Sequence, residues 1–229
     1  MPIVRVGHRG APREFPANTM RGFHRAVELG CEMVECDVRR AACGALVLAH
    51  DPIVADRNGR AFTVGNLTAN ALARLDLGAG EGVPELTVLT EWAAGRCAVM
   101  ADMKCDDDGV EKAVEAALSP LGRDAKLVAG AGAASRARFR AIDSHLPLSL
   151  SLDALSSDHE FDILLAAADT EAVTWHFRLL TPARIEALHA RGIQVYAWTV
   201  DDPAAMTQLA EFGTDGIISN RPDLLAGVG

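Results

Sequence analysis

The regular alternation of short apolar strands with longer helical segments is the feature of this sequence that most constrains its fold. Runs of apolar and β-branched residues are separated by segments with helix-capping residues and amphipathic spacing. The predicted strands span residues 3–7, 33–38, 98–103, 126–129, 147–152, 172–175, 193–199 and 216–219. Because strands that alternate with helices form parallel sheets, the sequence predicts an α/β protein.

The boundaries of the predicted helices are clearest near the C-terminus. Thr181 and Asp202 are predicted N-caps, and a proline follows each of them in the first helical turn. Gly192 and Gly213 are predicted to end these two helices before the next strand begins. The repeated order of cap, apolar stripe and glycine indicates that the strand–helix unit recurs along the chain.

Eight strand–helix units within 229 residues match a (β/α)8 TIM barrel. An open doubly wound sheet is the alternative, but it normally needs fewer strands, and no GxGxxG follows the first strand. Residues 41–88 are rich in glycine and contain one weak helical pattern, near residues 69–75. We therefore expect a single domain over 1–229, with 41–88 as an elaborated loop after strand two.

Charge and hydropathy exclude several classes of function. A net charge of −9 and a pI near 5.2 argue against a nucleic-acid partner, which requires clustered Lys and Arg. No apolar run reaches the length of a membrane span, and charged residues interrupt the N-terminus, so we expect a cytoplasmic protein. Five cysteines without a CxxC pair indicate neither a disulfide framework nor a thiolate zinc site. The sequence leaves association into homo-oligomers open.

Polar residues at the ends of the first two strands are candidates for catalysis, because barrel active sites lie at the C-terminal strand ends. The first strand ends in GHRG, which places His8 and Arg9 at the mouth. The second ends in MVECDV, where a period of two puts Glu35 and Asp37 on one face. Two inward carboxylates repel each other unless a positive charge lies between them, and a divalent cation is the simplest such partner.

The next two segments extend this cluster. The third strand ends in MADMK, which aligns Asp102 with Lys104, and a short strand, LVLAHD, ends at His50. Asp102 could supply a third oxygen ligand to Mg²⁺ or Ca²⁺, and Lys104 suits an anionic substrate. Two histidines around a cation indicate an acid–base pair for proton transfer. The alternative is a buried salt-bridge network without chemistry.

These segments, in this order, resemble the glycerophosphodiester phosphodiesterase family. The likeness is carried by GHRGAPREFPANTMRGFHRAVELG, EMVECDV, LVLAHD and ADMK, and by the C-terminal VYAWTV and DGIISNRPD. It covers nearly the whole chain, and the N-terminal HRG, NT, ExD and HD set is highly specific when found together.

The resemblance implies a TIM-barrel hydrolase that uses one divalent cation to cleave glycerophosphodiesters to glycerol 3-phosphate and an alcohol. It implies roles for individual side chains: an acid–base pair (His8, His50), metal ligands (Glu35, Asp37, Asp102), phosphate-binding cations (Arg9, Lys104) and a substrate wall (Trp198). Neither the order in which the histidines act nor the nucleophile, water or a substrate hydroxyl, follows from the sequence.

The sequence departs from the family pattern at two of these segments. Asp102 stands where the family usually has glutamate, and Ala17 replaces an acid in the segment that reads PANT. Two other functions stay open: a barrel phosphodiesterase acting on lysophospholipids, and a barrel that binds glycerophosphodiesters without turnover. The lipid-active alternative is disfavoured because 41–88 shows neither a clear apolar rim nor a basic patch.

Overall fold

The computed structural model describes residues 3–155, 157–167 and 169–228. Its elements, in chain order, are β1 (Val4–His8), α1 (Met20–Glu28), β2 (Met33–Arg40), β3 (Leu46–Leu48), β4 (Ile53–Ala55), β5 (Ala61–Thr63), α2 (Ala69–Ala73), α3 (Leu86–Ala93), β6 (Ala98–Met103), α4 (Val110–Ala117), β7 (Lys126–Ala129), α5 (Ala133–Ile142), β8 (Ser149–Leu152), α6 (Asp158–Ala167), β9 (Ala172–His176), α7 (Pro182–His189), β10 (Gln194–Trp198), α8 (Pro203–Glu211), β11 (Gly216–Ser219) and α9 (Pro222–Leu225).

Eight of the strands in the described part of the chain form a parallel sheet that curves into a barrel. Their order around the sheet is β7, β6, β2, β1, β11, β10, β9, β8. A parallel bridge between Val128 and Leu148, with a 3.0 Å hydrogen bond from Val128 N to the Pro147 carbonyl, brings the first and last strands together. The predicted (β/α)8 fold is thereby confirmed.

The side chains of the barrel strands alternate between two apolar layers. Residues that point inward, such as Val6, Met100 and Tyr196, form a cluster within the barrel. Residues that point outward, such as Val34 and Cys36, pack against the helices in a larger cluster. Because side chains alternate in this way, polar residues at the C-terminal strand ends point either into the mouth of the barrel or toward the helices.

The predicted caps of α7 and α8 are confirmed. The Thr181 hydroxyl accepts from Arg184 N, and the Asp202 carboxylate accepts from Ala205 N, so each satisfies a backbone donor of the first turn. Gly192 and Gly213 follow the two helices with φ values of +72° and +87°, a backbone conformation that glycine adopts without strain.

The segment between β2 and α3 contains more regular structure than the short LVLAHD strand and the one weak helix expected there. β3 pairs antiparallel with β2, and β4 and β5 form a separate two-stranded hairpin. Val47, Val64, Leu72 and Val83 belong to a small apolar cluster of this segment's own. Both hairpin strands are short and largely exposed, which explains why no continuous apolar pattern marked them.

No helix in the described ranges is both long enough and apolar enough to cross a membrane.

Candidate active site

A cavity of about 340 Å³ opens at the C-terminal end of the barrel. Side chains from neighbouring strand ends line it. Those that the sequence analysis singled out are His8, Arg9, Glu35, His50, Asp102, Lys104 and Trp198. Asp37 is fully buried beside this cavity, where it contacts both Arg9 and Lys104. The structure therefore brings the eight candidate residues to one end of the barrel.

The turn after β1 positions the first of these groups. Arg9 has a φ of +55°, and this left-handed conformation directs its backbone N–H to Glu35 Oε2 at 2.9 Å. Gly10 packs so tightly on α1 that a Cβ atom there would lie 2.5 Å from the backbone of Gly22. The glycine thus fixes the turn that carries His8 and Arg9 against the helix.

Three carboxyl groups form the acidic centre of the site. Glu35 and Asp37 lie on β2, and Asp102 lies directly beside Asp37 on the neighbouring strand β6. One oxygen from each of the three lies within 4.8 Å of the others. The register of two parallel strands therefore places three potential ligands around one point.

Two cationic side chains contact this centre. Arg9 Nε lies 2.9 Å from Asp37 Oδ2, and Lys104 Nζ lies 2.8 Å from Asp102 Oδ2 and 3.5 Å from Asp37 Oδ1. These are the ion pairs that the salt-bridge alternative requires. They leave the cluster incomplete, however, because Asp37 Oδ1 and Asp102 Oδ1 are buried without a hydrogen-bond partner among the described residues.

The surplus of negative charge is evident in the acid–base properties of the site. Burial raises the pKa of Glu35 well above its usual value, and the neighbouring Asp37 and Asp102 raise it further. The pKa of Asp102 is also raised, chiefly by burial, although Lys104 opposes the shift. Burial lowers the pKa of Lys104, but the contacts with Asp102 and Asp37 outweigh it and the net shift is upward.

These carboxyl groups fit a divalent cation. Carboxylate oxygens are the ligands that Mg²⁺ and Ca²⁺ prefer, and two such oxygens lie buried here without a hydrogen bond from any residue that the structure describes. A doubly charged ion in contact with Glu35, Asp37 and Asp102 would offset the repulsion that raises the pKa of Glu35. The donor set therefore suits the cation that the sequence resemblance implied.

Asn18 is a site residue that the sequence analysis did not assign. Its Nδ2 donates to Asp37 Oδ2 at 2.8 Å, and its Oδ1 accepts from Asp37 N at 3.1 Å. Asn18 is buried and has a φ of +60°, which asparagine tolerates better than most residues. Its only signal in the sequence was its place in the PANT segment.

The two candidate histidines have different surroundings. His8 is largely buried: its Nδ1 lies 2.7 Å from Asn220 Oδ1, and its Nε2 lies 3.8 Å from Glu35 Oε2. Burial and the charge of Arg9 lower the pKa of His8 to about 4 in the absence of a bound ion. The His50 side chain is 41% exposed, with Nδ1 at 2.9 Å from Asp51 Oδ1. One histidine is thus part of the barrel mouth, and the other lies on its rim.

The wall opposite the carboxyl groups is formed by β8, β9 and β10. Trp198 donates from Nε1 to the Thr174 carbonyl at 2.7 Å, which fixes the indole beside the cavity. Ser151 Oγ contacts Thr174 Oγ1 at 2.7 Å and accepts from Gly130 N at 2.9 Å. This wall presents hydroxyl groups, an aromatic ring and the carboxyl group of Asp153 opposite the acidic centre.

Comparisons with known proteins agree with this geometry. Residues 8–224 match the model of the glycerophosphoryl diester phosphodiesterase family. A probable glycerophosphodiester phosphodiesterase 2 of Mycobacterium tuberculosis is 30% identical over 98% of this chain and 90% of its own. A glycerophosphodiester phosphodiesterase of Caldanaerobacter subterraneus is 27% identical over 98% of this chain and 97% of its own.

Solved structures show the same barrel. The crystal structure of a glycerophosphodiester phosphodiesterase from Agrobacterium tumefaciens has a TM-score of 0.84 and 26% identity, and covers 99% of this chain and 100% of its own. A phosphodiesterase from Oleispira antarctica, solved with its product sn-glycerol 3-phosphate, has a TM-score of 0.83 and 21% identity over 97% of this chain and 94% of its own.

Proposed function

The chain belongs to the glycerophosphoryl diester phosphodiesterase family, and we propose that it hydrolyses glycerophosphodiesters to sn-glycerol 3-phosphate and an alcohol with the aid of a divalent cation. The relatives named above carry this activity in their names, and the Oleispira antarctica protein was solved with the corresponding product. The observation that carries the proposal is the pair of buried carboxylate oxygens, Asp37 Oδ1 and Asp102 Oδ1, that accept no hydrogen bond within the described part of the chain.

The proposed cation site consists of Glu35, Asp37 and Asp102, and either Mg²⁺ or Ca²⁺ suits its oxygen donors. When bound, such an ion withdraws charge from a phosphoryl oxygen and stabilises negative charge in the transition state. Arg9 and Lys104 hold the carboxylates at the distances given above, and they add positive charge on the side where an anionic phosphodiester would bind.

The two histidines are proposed to move protons on either side of phosphorus. One takes a proton from the attacking hydroxyl, of water or of the substrate's own glycerol, and the other gives a proton to the leaving alkoxide. Both His8 and His50 line the cavity, so both can reach a bound diester. Each such proton transfer contributes about 10²- to 10⁴-fold to the rate.

Trp198 is proposed to form part of the substrate wall. Its indole is anchored to the Thr174 carbonyl and lies across the cavity from the acidic centre, as described above. An aromatic surface there can pack against the apolar carbons of the glycerol or of the alcohol.

The direct test is product release by protein from which metal ions have been removed with EDTA. The substrates are glycerophosphocholine and glycerophosphoethanolamine, assayed with no addition, with Mg²⁺ and with Ca²⁺; lysophosphatidylcholine is assayed in parallel. We expect release of glycerol 3-phosphate only when a cation is restored. Equal turnover with and without metal would contradict the role of the acidic centre. Turnover of the lysophospholipid alone would support the lipid-active alternative, and no turnover of any substrate would favour a binding protein.

A further inference from the structure

The residue after β11, Asn220, links the partly exposed carboxylate of Asp201 to His8. Asp201 follows β10, and its Oδ2 accepts from Asn220 Nδ2 at 2.9 Å, while its Oδ1 accepts from Asn220 N at 2.8 Å. On its other side, the Asn220 amide presents Oδ1 to His8 Nδ1 at 2.7 Å. Asn220 of the DGIISNRPD segment therefore completes a chain of hydrogen bonds that runs from Asp201 through its own amide to the His8 imidazole.

The orientation of the Asn220 amide in this chain is fixed by Asp201. Burial opposes ionisation of Asp201, but hydrogen bonds from Asn220 and Ser219 outweigh it and hold its pKa below the usual value. An ionised carboxylate only accepts hydrogen bonds. If the Asn220 amide were turned over, its oxygen would face a carboxylate oxygen, and two acceptors would be in contact with no proton between them. Asn220 must therefore direct Nδ2 to Asp201 and Oδ1 to His8.

This orientation has a consequence for His8. Because an amide oxygen cannot donate, His8 Nδ1 must carry a proton to make the 2.7 Å contact. In a neutral imidazole the other nitrogen, Nε2, then has the lone pair. Nε2 is the nitrogen on the side of Glu35.

We propose that Asp201 and Asn220 are positioning residues that hold neutral His8 in the tautomer with its proton on Nδ1 and its lone pair on Nε2. For its kinetic consequence the proposal rests on the catalytic role of His8 proposed above. A lone pair on Nε2 fits neutral His8 to the proton-accepting role of the pair, in which Nε2 takes the proton of the attacking hydroxyl as the O–H bond breaks. The imidazolium that forms keeps its Nδ1–H bond to Asn220, whose amide dipole is aligned by the charge on Asp201.

A structural function for Asp201 is the competing explanation, because the same carboxylate also accepts from Ser219 Oγ at 3.0 Å and so ties the β10–α8 loop to β11. Two variants separate the explanations. Asp201→Asn keeps the shape but can donate to the Asn220 oxygen, which frees the amide to offer NH₂ to His8 and to select the other tautomer. Asn220→Ala removes the link to His8 but retains the backbone donor to Asp201.

The matched control is Asp202→Asn. Asp202 is the neighbouring acid in the same loop, and its side chain caps α8 by accepting from Ala205 N at 2.9 Å. Asparagine caps a helix about as well as aspartate does. This variant therefore makes the same chemical change one residue away, with no contact to the chain that ends at His8.

The first measurement is the imidazole ¹⁵N spectrum of metal-free protein, with the His8 signal assigned from a His8→Gln variant. We expect a protonated Nδ1 and an unprotonated Nε2 in the wild type and in Asp202→Asn. We expect Asp201→Asn to shift His8 toward protonation at Nε2, and Asn220→Ala to give a mixture. An unchanged spectrum in both Asp201→Asn and Asn220→Ala would overturn the proposal. Since no substrate is present, this result is independent of whether the protein turns over glycerophosphodiesters.

The second measurement is steady-state turnover of glycerophosphocholine with the cation restored. An isosteric carboxylate-to-amide change that selects the wrong tautomer in a Ser-His-Asp triad lowers kcat by about 10⁴-fold. Because Asp201 acts through Asn220, we expect kcat to fall by at least about 10²-fold in both chain variants, with KM changed by less than about threefold. The proposal would also be overturned if the folded Asp201→Asn and Asn220→Ala variants kept kcat within a few-fold of wild type. A fall in kcat with an unchanged ¹⁵N spectrum would overturn it as well.

Discussion

The two ends of the barrel differ in how their carboxyl groups are paired with cationic side chains. At the N-terminal end of the strands, Glu32 pairs closely with Arg5, and Glu171 pairs with Arg140 at 2.8 Å. At the C-terminal end, the three carboxyl groups of Glu35, Asp37 and Asp102 lie around two cationic side chains, Arg9 and Lys104, and two of their oxygens have no hydrogen-bond partner among the described residues. One end balances its charges within the chain, and the other does not.

Glu32 and Glu35, three residues apart, show what this difference means. Burial opposes ionisation of Glu32, but its hydrogen bonds with Arg5 dominate and lower its pKa. Burial and neighbouring carboxylates raise the pKa of Glu35. An ionised Glu32 therefore stabilises the fold, whereas an ionised Glu35 destabilises it until a cation binds. Paired charges indicate a structural role, and an unbalanced cluster indicates a site for a ligand.

The largest loss of turnover is expected from Glu35→Gln, which removes one negative charge from the acidic centre at the C-terminal end of the barrel. Loss of an anionic ligand should weaken cation binding and lower turnover on the order of 10³-fold, because a bound cation contributes several kcal/mol to transition-state stabilisation. In metal-free protein at neutral pH, the variant should be at least as stable as wild type, since the raised pKa of Glu35 means that its ionised form opposes folding.

Calorimetric metal titration and thermal unfolding in EDTA measure these two outcomes for Glu35→Gln. Glu32→Gln is the matched control for cation binding, which it should leave unchanged. Unchanged cation affinity in Glu35→Gln would show that the unbalanced charge is not a metal site.

Replacing His50 tests the same contrast between the two ends with histidine side chains. His50→Ala should lower turnover at least about 10²-fold without loss of fold, because His50 lies on the rim of the cavity and makes no buried contact that the barrel needs. The control is His189→Ala, at the opposite end, where His189 Nε2 lies 2.8 Å from Asp215 Oδ2. Steady-state kinetics with glycerophosphocholine should separate the two variants, and similar activities in both would remove His50 from the acid–base pair.

A smaller loss of cation affinity and turnover is expected from Gly130→Ala, because the added methyl group would displace the Asp102 side chain. A Cβ atom on Gly130 would lie 1.9 Å from Asp102 Oδ1, and the φ of +69° adds backbone strain. Displacement of one ligand by a neighbouring residue typically costs 10- to 100-fold in metal affinity or activity. Gly132→Ala is the control, because its Cβ meets no atom within 4 Å and its φ is −64°. Equal cation affinities of the two variants would show that Asp102 does not bind the ion.

The smallest effect is expected at the balanced end. Glu32→Gln should lower the free energy of unfolding by less than about 1 kcal/mol at neutral pH, because the Glu32 side chain is 49% exposed and solvent screens the ion pair. Since the folded-state pKa of Glu32 is lowered, the advantage of wild type is present above the unfolded value near 4.3 and is lost as the pH falls through the folded value. Urea denaturation at several pH values would reveal a different sign if the pair were destabilising.

The sequence predicted the barrel because each strand has a local signature. Apolar and β-branched runs such as 98–103 and 216–219 coincide with β6 and β11. The two helices predicted from their caps coincide closely with α7 and α8. Glu35, Asp37 and Asp102 were identified because a strand's period of two and a shared sheet edge determine which side chains meet. The hairpin of β4 and β5 was missed because its exposed three-residue strands have no such pattern.

The partners that orient the site were not predictable in the same way. Asn18 and Asn220 contact Asp37 and His8 across 19 and 212 residues of sequence, and although both lie in segments that carry the family resemblance, no local pattern predicts these contacts. Asparagine is common in turns, so its presence alone carries little information. Their roles appear only when the ring of strands brings β1, β2 and β11 side by side.

The link between β3 and β4 has a consequence for how this protein can be altered. His50 lies on it, two residues after β3 ends and three before β4 begins, where the barrel gives way to a segment with its own apolar cluster. A graft that replaced residues 53–83 would exchange the β4–β5 hairpin and most of this cluster, and it would leave the strands that carry Glu35, Asp37 and Asp102 in place. The fold thus separates a segment that can be exchanged from the strands that hold the acidic centre.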